Sequence, residues 1–423
     1  MNKQRDAYKN GFITFINDKI VKIGHMEHFI QEKEDFVLDG QRAIVMPGMI
    51  NLHTHLGMMP FRGLQDDCKD RFRKYLLPME KEGMTANLVY ASSKYAMAEM
   101  LLDGTTTVMD MYYFEKEAAK AAHEMSIRAF LGETIIEEDA CDVSSSKESL
   151  QYTKELLEMY KNHSLITPCV APHATYSCKE DTLKSACVLA SAYQVPLTMH
   201  VAEMDYEMEY FQQEYKKTPV EFLEELNVLN EHMIAVHCIH VTEKDIEILR
   251  RHDVGVAHCI GANTKAAKGV APLRAMLEHK LRVGLGTDGA SSGNTLDMIT
   301  QLKLCANFHK YATHDRSAFP AEDLIALATI DAAKVLHMED KIGSLEEGKQ
   351  ADITMIETDS VNMFPIYDPY SAIVYSSNAA NVDTVFVAGK MLVHNKELVN
   401  CSYSNIKENL EKQMKNSIFA REL

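Results

Sequence analysis

At 423 residues the chain is long for one compact core, although α/β barrels run to about 250 residues as a single domain, so one large domain with a smaller companion is expected. Its 61 acidic against 44 basic residues, a formal charge of −17, oppose binding to the phosphates of nucleic acid and leave a small molecule as the expected partner. No run approaches the roughly 18 uninterrupted apolar residues of a membrane span, the polar N-terminus lacks a secretory signal, and nine cysteines without a C-x-x-C pair read as reduced core thiols. A cytoplasmic location is the expectation.

Residues 11 to 24 carry a hairpin signal, with Asn17-Asp18 between β-rich runs. Eight short apolar segments follow: Pro47 to His55, Thr105 to Met111, Arg128 to Glu133, Ile166 to Pro172, Val195 to Val201, Met233 to Ile239, Val254 to Ile260 and Arg282 to Asp288. Stretches of helical period separate several of them, at 85–103, 148–162, 179–193, 242–252 and 272–280. Thr85 is suited to cap the first of these and Gly104 to end it. Strands alternating with helices imply a parallel sheet covered on both faces, and eight such units imply an α/β fold closed as a (β/α)₈ TIM barrel. A doubly wound open sheet is disfavoured by the lack of a Gly-x-Gly-x-x-Gly turn after a strand. The tail returns to β pattern at 348–356, Val382 to Val387 and Lys390 to Val393. Residues 1–46 and 345–423 are therefore expected to form one small β-sandwich domain, interrupted by a barrel over 47–344.

The polar residues that end these strands define a chemistry. His53 and His55 lie two apart, so on a strand both face one side and can share one cation. His200 and Asp288 add ligands from strands five and eight. Three nitrogens and a carboxylate leave room for water, as a catalytic metal requires. Zn²⁺ is the default for one such divalent ion, with Fe²⁺ also compatible, and strand four offers no lysine to bridge a second. Glu203 is placed to move the water's proton, while its neighbours Asp205, Glu207 and Glu209 read as solvated carboxylates. His237 can orient the water, His173 is better placed for substrate than for metal, and His258 is open between site and structure. Cys238 and Cys259 each follow a histidine and are expected to face away from the site if the histidines face it.

Taken together, Pro-Gly-Met-Ile-Asn-Leu-His-Thr-His, Phe-Arg-Gly-Leu-Gln-Asp-Asp, Leu-Pro-Met-Glu80, Asp-Gly-Thr-Thr-Thr, Ala-Pro-His173, His200-Val-Ala-Glu203, His237-Cys-Ile-His, Gly269-Val-Ala-Pro and Gly-Thr-Asp288-Gly-Ala-Ser-Ser make the chain resemble the amidohydrolase superfamily. Within it, the resemblance is to the methylthioadenosine/S-adenosylhomocysteine deaminase group. It implies hydrolytic deamination of an adenosine-type nucleoside (5-methylthioadenosine, 5′-deoxyadenosine, adenosine or S-adenosylhomocysteine) with release of ammonia. It further implies a metal held by His53, His55, His200 and Asp288, with Asp288 also a base, His237 steadying the oxyanion, Glu203 moving protons and touching the ring, Glu80 on the ribose hydroxyls, and His173 on the nucleoside. A homo-oligomer is compatible with it. The alternatives are a deaminase of a free aminopurine such as guanine, a chlorohydrolase-like enzyme, or a catalytically silent binding protein, the last opposed by retention of all four ligands. The chain departs from the group where relatives carry a substrate-binding arginine. Glu133 aligns there, and a carboxylate is expected to repel the amino-acid end of S-adenosylhomocysteine. Strand seven keeps His258, Asn263 and Lys265 but loses a proline and a serine, and the chain has no tryptophan.

Overall fold

The computed structural model describes residues 2, 5–31 and 36–421. The expected hairpin forms: β1 (Gly11–Ile16) pairs antiparallel with β2 (Lys19–His25), and the turn residue Asn17 adopts φ 53°, a left-handed value that asparagine tolerates. Next, β3 (Ile44–Pro47) joins a sheet built mainly from the tail, after which the chain enters the barrel.

Nine strand segments make the ring: β4 (Met49–Thr54), β5 (Thr105–Tyr112), β6 (Arg128–Ile135), β7 (Ile166–Pro168), β8 (Ala171–Pro172), β9 (Leu197–Val201), β10 (Met233–His237), β11 (Gly255–His258) and β12 (Arg282–Leu285). They lie in two parallel half-sheets, β4-β5-β6-β7 with β8 also on β6, and β9-β10-β11-β12. Bridges between Val170 and Leu197 and between Ala174 and His200 join the halves on one side. The ring closes on the other where the Asp288 amide donates to the His53 carbonyl at 3.0 Å. Every residue of β4, β5 and β6 is buried, as expected of parallel strands covered on both faces.

The expected fourth strand is divided. Pro168 and Pro172 have no N–H to give a ladder, and between them the Cys169 amide donates to Leu131 while the Val170 amide donates to Pro196. Within two residues the chain thus bonds to both half-sheets, before Ala171 and Pro172 return to β6. The helix Ala86–Leu102 begins as read, with Leu88 N donating to Thr85 Oγ1 at 3.3 Å, and stops before Gly104 at φ 92°. Helices Glu115–Met125, Asp205–Glu214, Ile260–Lys265 and Met298–Thr313 lie outside the stretches of expected helical period, and the first three lack a side-chain cap to mark their start. No helix among the described residues is long and apolar enough to cross a membrane.

In the tail, β13 (Ile353–Ile356) inserts between β3 and β14 (Val382–Val387), and the sheet continues through β15 (Lys390–His394) to β16 (Glu397–Leu398), all antiparallel. The N-terminal hairpin lies over this sheet, with Phe15 and Phe386 ring centres 5.3 Å apart and Ile20, Leu345 and Ile353 buried between them. The final helix, Tyr403–Lys415, packs instead on the barrel helix Ala86–Leu102, where the Tyr95 and Tyr403 hydroxyls meet at 2.8 Å.

One buried ion pair fastens the terminal sheet to the barrel. Arg128, at the start of β6, reaches both carboxylate oxygens of Asp352 at 3.0 Å, and Asp352 also accepts from the Ala388 amide at 2.7 Å. Removing one partner of a buried pair strands the other charge, so Asp352→Ala is expected to cost about 3–5 kcal/mol in urea unfolding. A loss below about 1 kcal/mol would show that water compensates Arg128.

Candidate active site

The C-terminal mouth of the ring is assembled first by groups that only hold others. Asn51 on β4 reaches across the closure, its Nδ2 donating to Thr287 Oγ1 at 2.8 Å and its Oδ1 accepting from the Thr287 amide at 3.1 Å. Gly286 must be a glycine here, because a Cβ would stand 2.9 Å from the His53 amide nitrogen. Asp110 on β5 takes the Leu56 amide at 2.7 Å and so fixes the turn after His55.

On this frame the four expected ligands converge. His53 Nε2 lies 3.1 Å from His200 Nε2 and 3.9 Å from Asp288 Oδ1, and His55 Nε2 lies 3.3 Å from the same oxygen. His55 Nδ1 meets the Met111 carbonyl at 2.5 Å and His200 Nδ1 meets the His173 carbonyl at 2.8 Å. A carbonyl only accepts, so each ring carries a proton on Nδ1 and directs Nε2 inward, the nitrogen by which metal-binding imidazoles of this tautomer coordinate. Burial, and then the neighbouring imidazoles, hold His53 and His200 well below the ordinary histidine pKa. Burial would raise Asp288, but His55, His237 and Lys268 bring its carboxyl below the usual value. Three imidazoles with inward nitrogens beside an ionised carboxylate form a donor set that fits a divalent cation.

Glu203 and His237 stand beside this set. His237 Nε2 is 3.5 Å from Glu203 Oε1 and 4.0 Å from Asp288 Oδ2, and its Nδ1 donates to Asn263 Oδ1 at 2.8 Å. Burial opposes ionisation of Glu203, yet His237 and Lys268 hold its pKa well below the carboxylate range. His237 and Asp288 both take left-handed backbone angles, φ 71° and 62°, unfavourable for residues with a Cβ and retained where function fixes the geometry.

Two supporting residues escaped the sequence reading. Lys268 ion-pairs with Glu203 Oε1 from the loop after helix Ile260–Lys265, and nothing in its local sequence sets it apart from other lysines. Glu207, expected among solvated carboxylates, is buried: it accepts from the amides of Ala202 at 3.2 Å and Glu203 at 2.9 Å and from Thr175 Oγ1 at 2.6 Å, and burial lifts it to about 7. Its place in the first turn of Asp205–Glu214 was the available signal, since a helix start collects carboxylates that bind free amides.

Glu80 and His173 also border the site. Burial, opposed by Tyr112 and His55, raises Glu80 to about 7. His173 has its ring centre 5.0 Å from that of His200, its Nδ1 2.8 Å from Ser177 Oγ, and a pKa lowered to about 4 by burial. Glu133, by contrast, is wholly buried, accepts the Glu115 amide at 3.0 Å, and is pushed well above the carboxylate range by burial and by Asp142. The expected repulsion of an amino-acid carboxylate therefore does not act through Glu133. His258 turns from the mouth toward His309, with Nε2 atoms 2.9 Å apart. Cys259 accordingly lies on the inner face, against Gly286 and Leu52, rather than away from the site as it would had His258 faced inward.

The barrel and this ligand set define a metal-dependent hydrolase, and residues 44–392 match the amidohydrolase family, to which the chain belongs. Two curated relatives are similar over nearly their whole length. The 5-methylthioadenosine/S-adenosylhomocysteine deaminase of Thermoanaerobacter pseudethanolicus is 37% identical, covering 99% of this chain and 97% of that protein. The 5′-deoxyadenosine deaminase of Methanosphaera stadtmanae is 36% identical over 93% of this chain and 92% of its own. The solved adenosine deaminase of Xanthomonas campestris, with bound zinc, superposes with a TM-score of 0.92 at 28% identity, covering 96% of this chain and 94% of the other.

Proposed function

We propose that the protein is a metal-dependent deaminase that hydrolyses the exocyclic amine of an adenosine-type nucleoside and releases ammonia. The observation that carries this reading is the contact of ionised Glu203 with His237 beside the four convergent ligands, with buried Glu80 close enough to His55 to interact with it. His53, His55, His200 and Asp288 would hold one divalent ion, with zinc the ion bound by the similar adenosine deaminase. When bound, that ion supplies a water activated for attack near neutral pH.

The remaining steps belong to this chain's side chains. Lys268 engages Glu203 Oε1, which leaves Oε2 to take one proton of the attacking water and pass it to the ring nitrogen, where it stays in the product, while the water's second proton goes to the departing amine, which leaves as ammonia. Asp288 accepts from the same water, and His237 Nε2, with Nδ1 fixed by Asn263, orients it and steadies charge on the substrate carbon's new oxygen. Glu80 accepts from the ribose hydroxyls, and His173 contacts the nucleoside. The nine free cysteines support a reducing, cytoplasmic setting.

Ammonia release from methylthioadenosine, 5′-deoxyadenosine, adenosine and S-adenosylhomocysteine by the zinc-loaded protein tests this reading, and no release from any of them sinks it. A free aminopurine is the second reading, and Glu80 separates the two. Glu80→Gln is expected to lower kcat/KM for the nucleoside by about 10- to 100-fold, the worth of a charge-assisted hydrogen bond, while leaving any activity on free adenine or guanine untouched.

A further inference from the structure

Outside the proposed catalytic centre, three more metal-grade side chains meet. His258, the last residue of β11, and Cys305 and His309, on the helix Met298–Thr313, each present one ligand atom within 4.8 Å of the others. Among the described residues only two other groups of three do so, His53/His200/His237 and His53/His55/Asp288, and these are parts of the catalytic set. The ligand geometry that marks the functional cation therefore recurs once, elsewhere. Cys305 and His309 are four residues apart and so share one helix face, and His258 reaches that face from the strand. The His258 and His309 Nε2 atoms are 2.9 Å apart, against 3.1 Å for His53 and His200.

The surroundings select the kind of ion. His258 and Cys305 are 0% exposed and His309 is 3%. Burial alone raises the Cys305 thiol and lowers His309 to about 4, and no carboxylate, lysine or arginine perturbs any of the three. A divalent ion with one thiolate and two neutral imidazoles would leave a net positive charge in a dry site, which is expensive. A monovalent ion with the same ligands is neutral. Cu⁺ is soft, prefers thiolate and imidazole, and is satisfied by three ligands.

We propose that His258, Cys305 and His309 form a buried three-ligand site for a soft monovalent cation of the Cu⁺ type, separate from the catalytic metal. Binding exchanges the thiol proton of Cys305 for the cation and releases that proton to solvent, with no change of oxidation state. The competing account is a hydrogen bond between the two imidazoles, which needs no thiol.

Cys305→Ala separates them. Zinc-loaded wild type and variant are titrated anaerobically with Cu⁺ buffered by a chromophoric chelator, desalted, and their copper and zinc counted per chain. Wild type is expected to retain one Cu⁺ per chain with a thiolate-to-copper absorption in the near ultraviolet, and Cys305→Ala to retain none and show no such band, both keeping their zinc and deaminase activity. His309→Asn should lose the copper as well. Equal copper in wild type and Cys305→Ala, or none in wild type, overturns the site. Retention of a second Zn²⁺ in place of Cu⁺ overturns the monovalent assignment. Should Cys305→Ala fold poorly by circular dichroism, Cys305→Ser gives the same comparison with a near-isosteric side chain.

Discussion

Glu203→Gln is expected to keep its zinc and lose kcat by about 10²- to 10⁴-fold, the range that a positioned general acid–base group contributes. Glutamine has the same shape, can still accept from Lys268 through its amide oxygen, and leaves His53, His55, His200 and Asp288 untouched, so metal content should stay at the wild-type level. It cannot take a proton from water at neutral pH. Lys268→Met is the companion measurement. It removes the contact with Oε1 but spares the carboxylate, so kcat should fall only about 10-fold, the lower end of what an orienting partner is worth. Ammonia assays with parallel zinc analysis check both. A Glu203→Gln enzyme within about threefold of wild type would remove Glu203 from the chemistry.

His200→Ala should abolish both metal and turnover. The ring supplies one of three nitrogens, held in place by its Nδ1 donating to the His173 carbonyl, and alanine removes it outright. Loss of the cation withdraws several kcal/mol of transition-state stabilisation, about 10³-fold or more in kcat/KM. Excess zinc in the assay should not restore it. Asp288→Asn is the gentler probe of the same centre, because asparagine tolerates φ 62° whereas alanine would add backbone strain to the loss of a ligand. Full metal and activity in His200→Ala would move the centre elsewhere.

The ring of strands and the residues at their ends were legible because both follow from short-range rules: apolar runs of strand length, and His-x-His on one face. What escaped was set by tertiary contact. Glu207 read as solvent-facing among acidic neighbours, yet three donors gathered from two loops enclose it. Lys268 reaches Glu203 across 65 positions in the chain, a separation no local pattern records. Glu133 was placed correctly on its strand but misread in charge, since the raised pKa comes from burial and Asp142 rather than from its own sequence. The division of strand four was written in Pro168 and Pro172, and went unread only because the apolar run continues through both.

The two half-sheets of the barrel share few backbone bonds at their seams, and the four metal-type ligands straddle them. His53 and His55 come from the first half, His200 from the second at one seam, and Asp288 from beyond the second at the other. A cation held there rivets the ring, because only the closed barrel presents all four groups. By mass action such an ion adds about 4 kcal/mol of stability at a thousandfold excess over its Kd. Metal starvation would then shorten the protein's lifetime as well as silence it, by letting proteases reach chains whose barrel has parted along its seams.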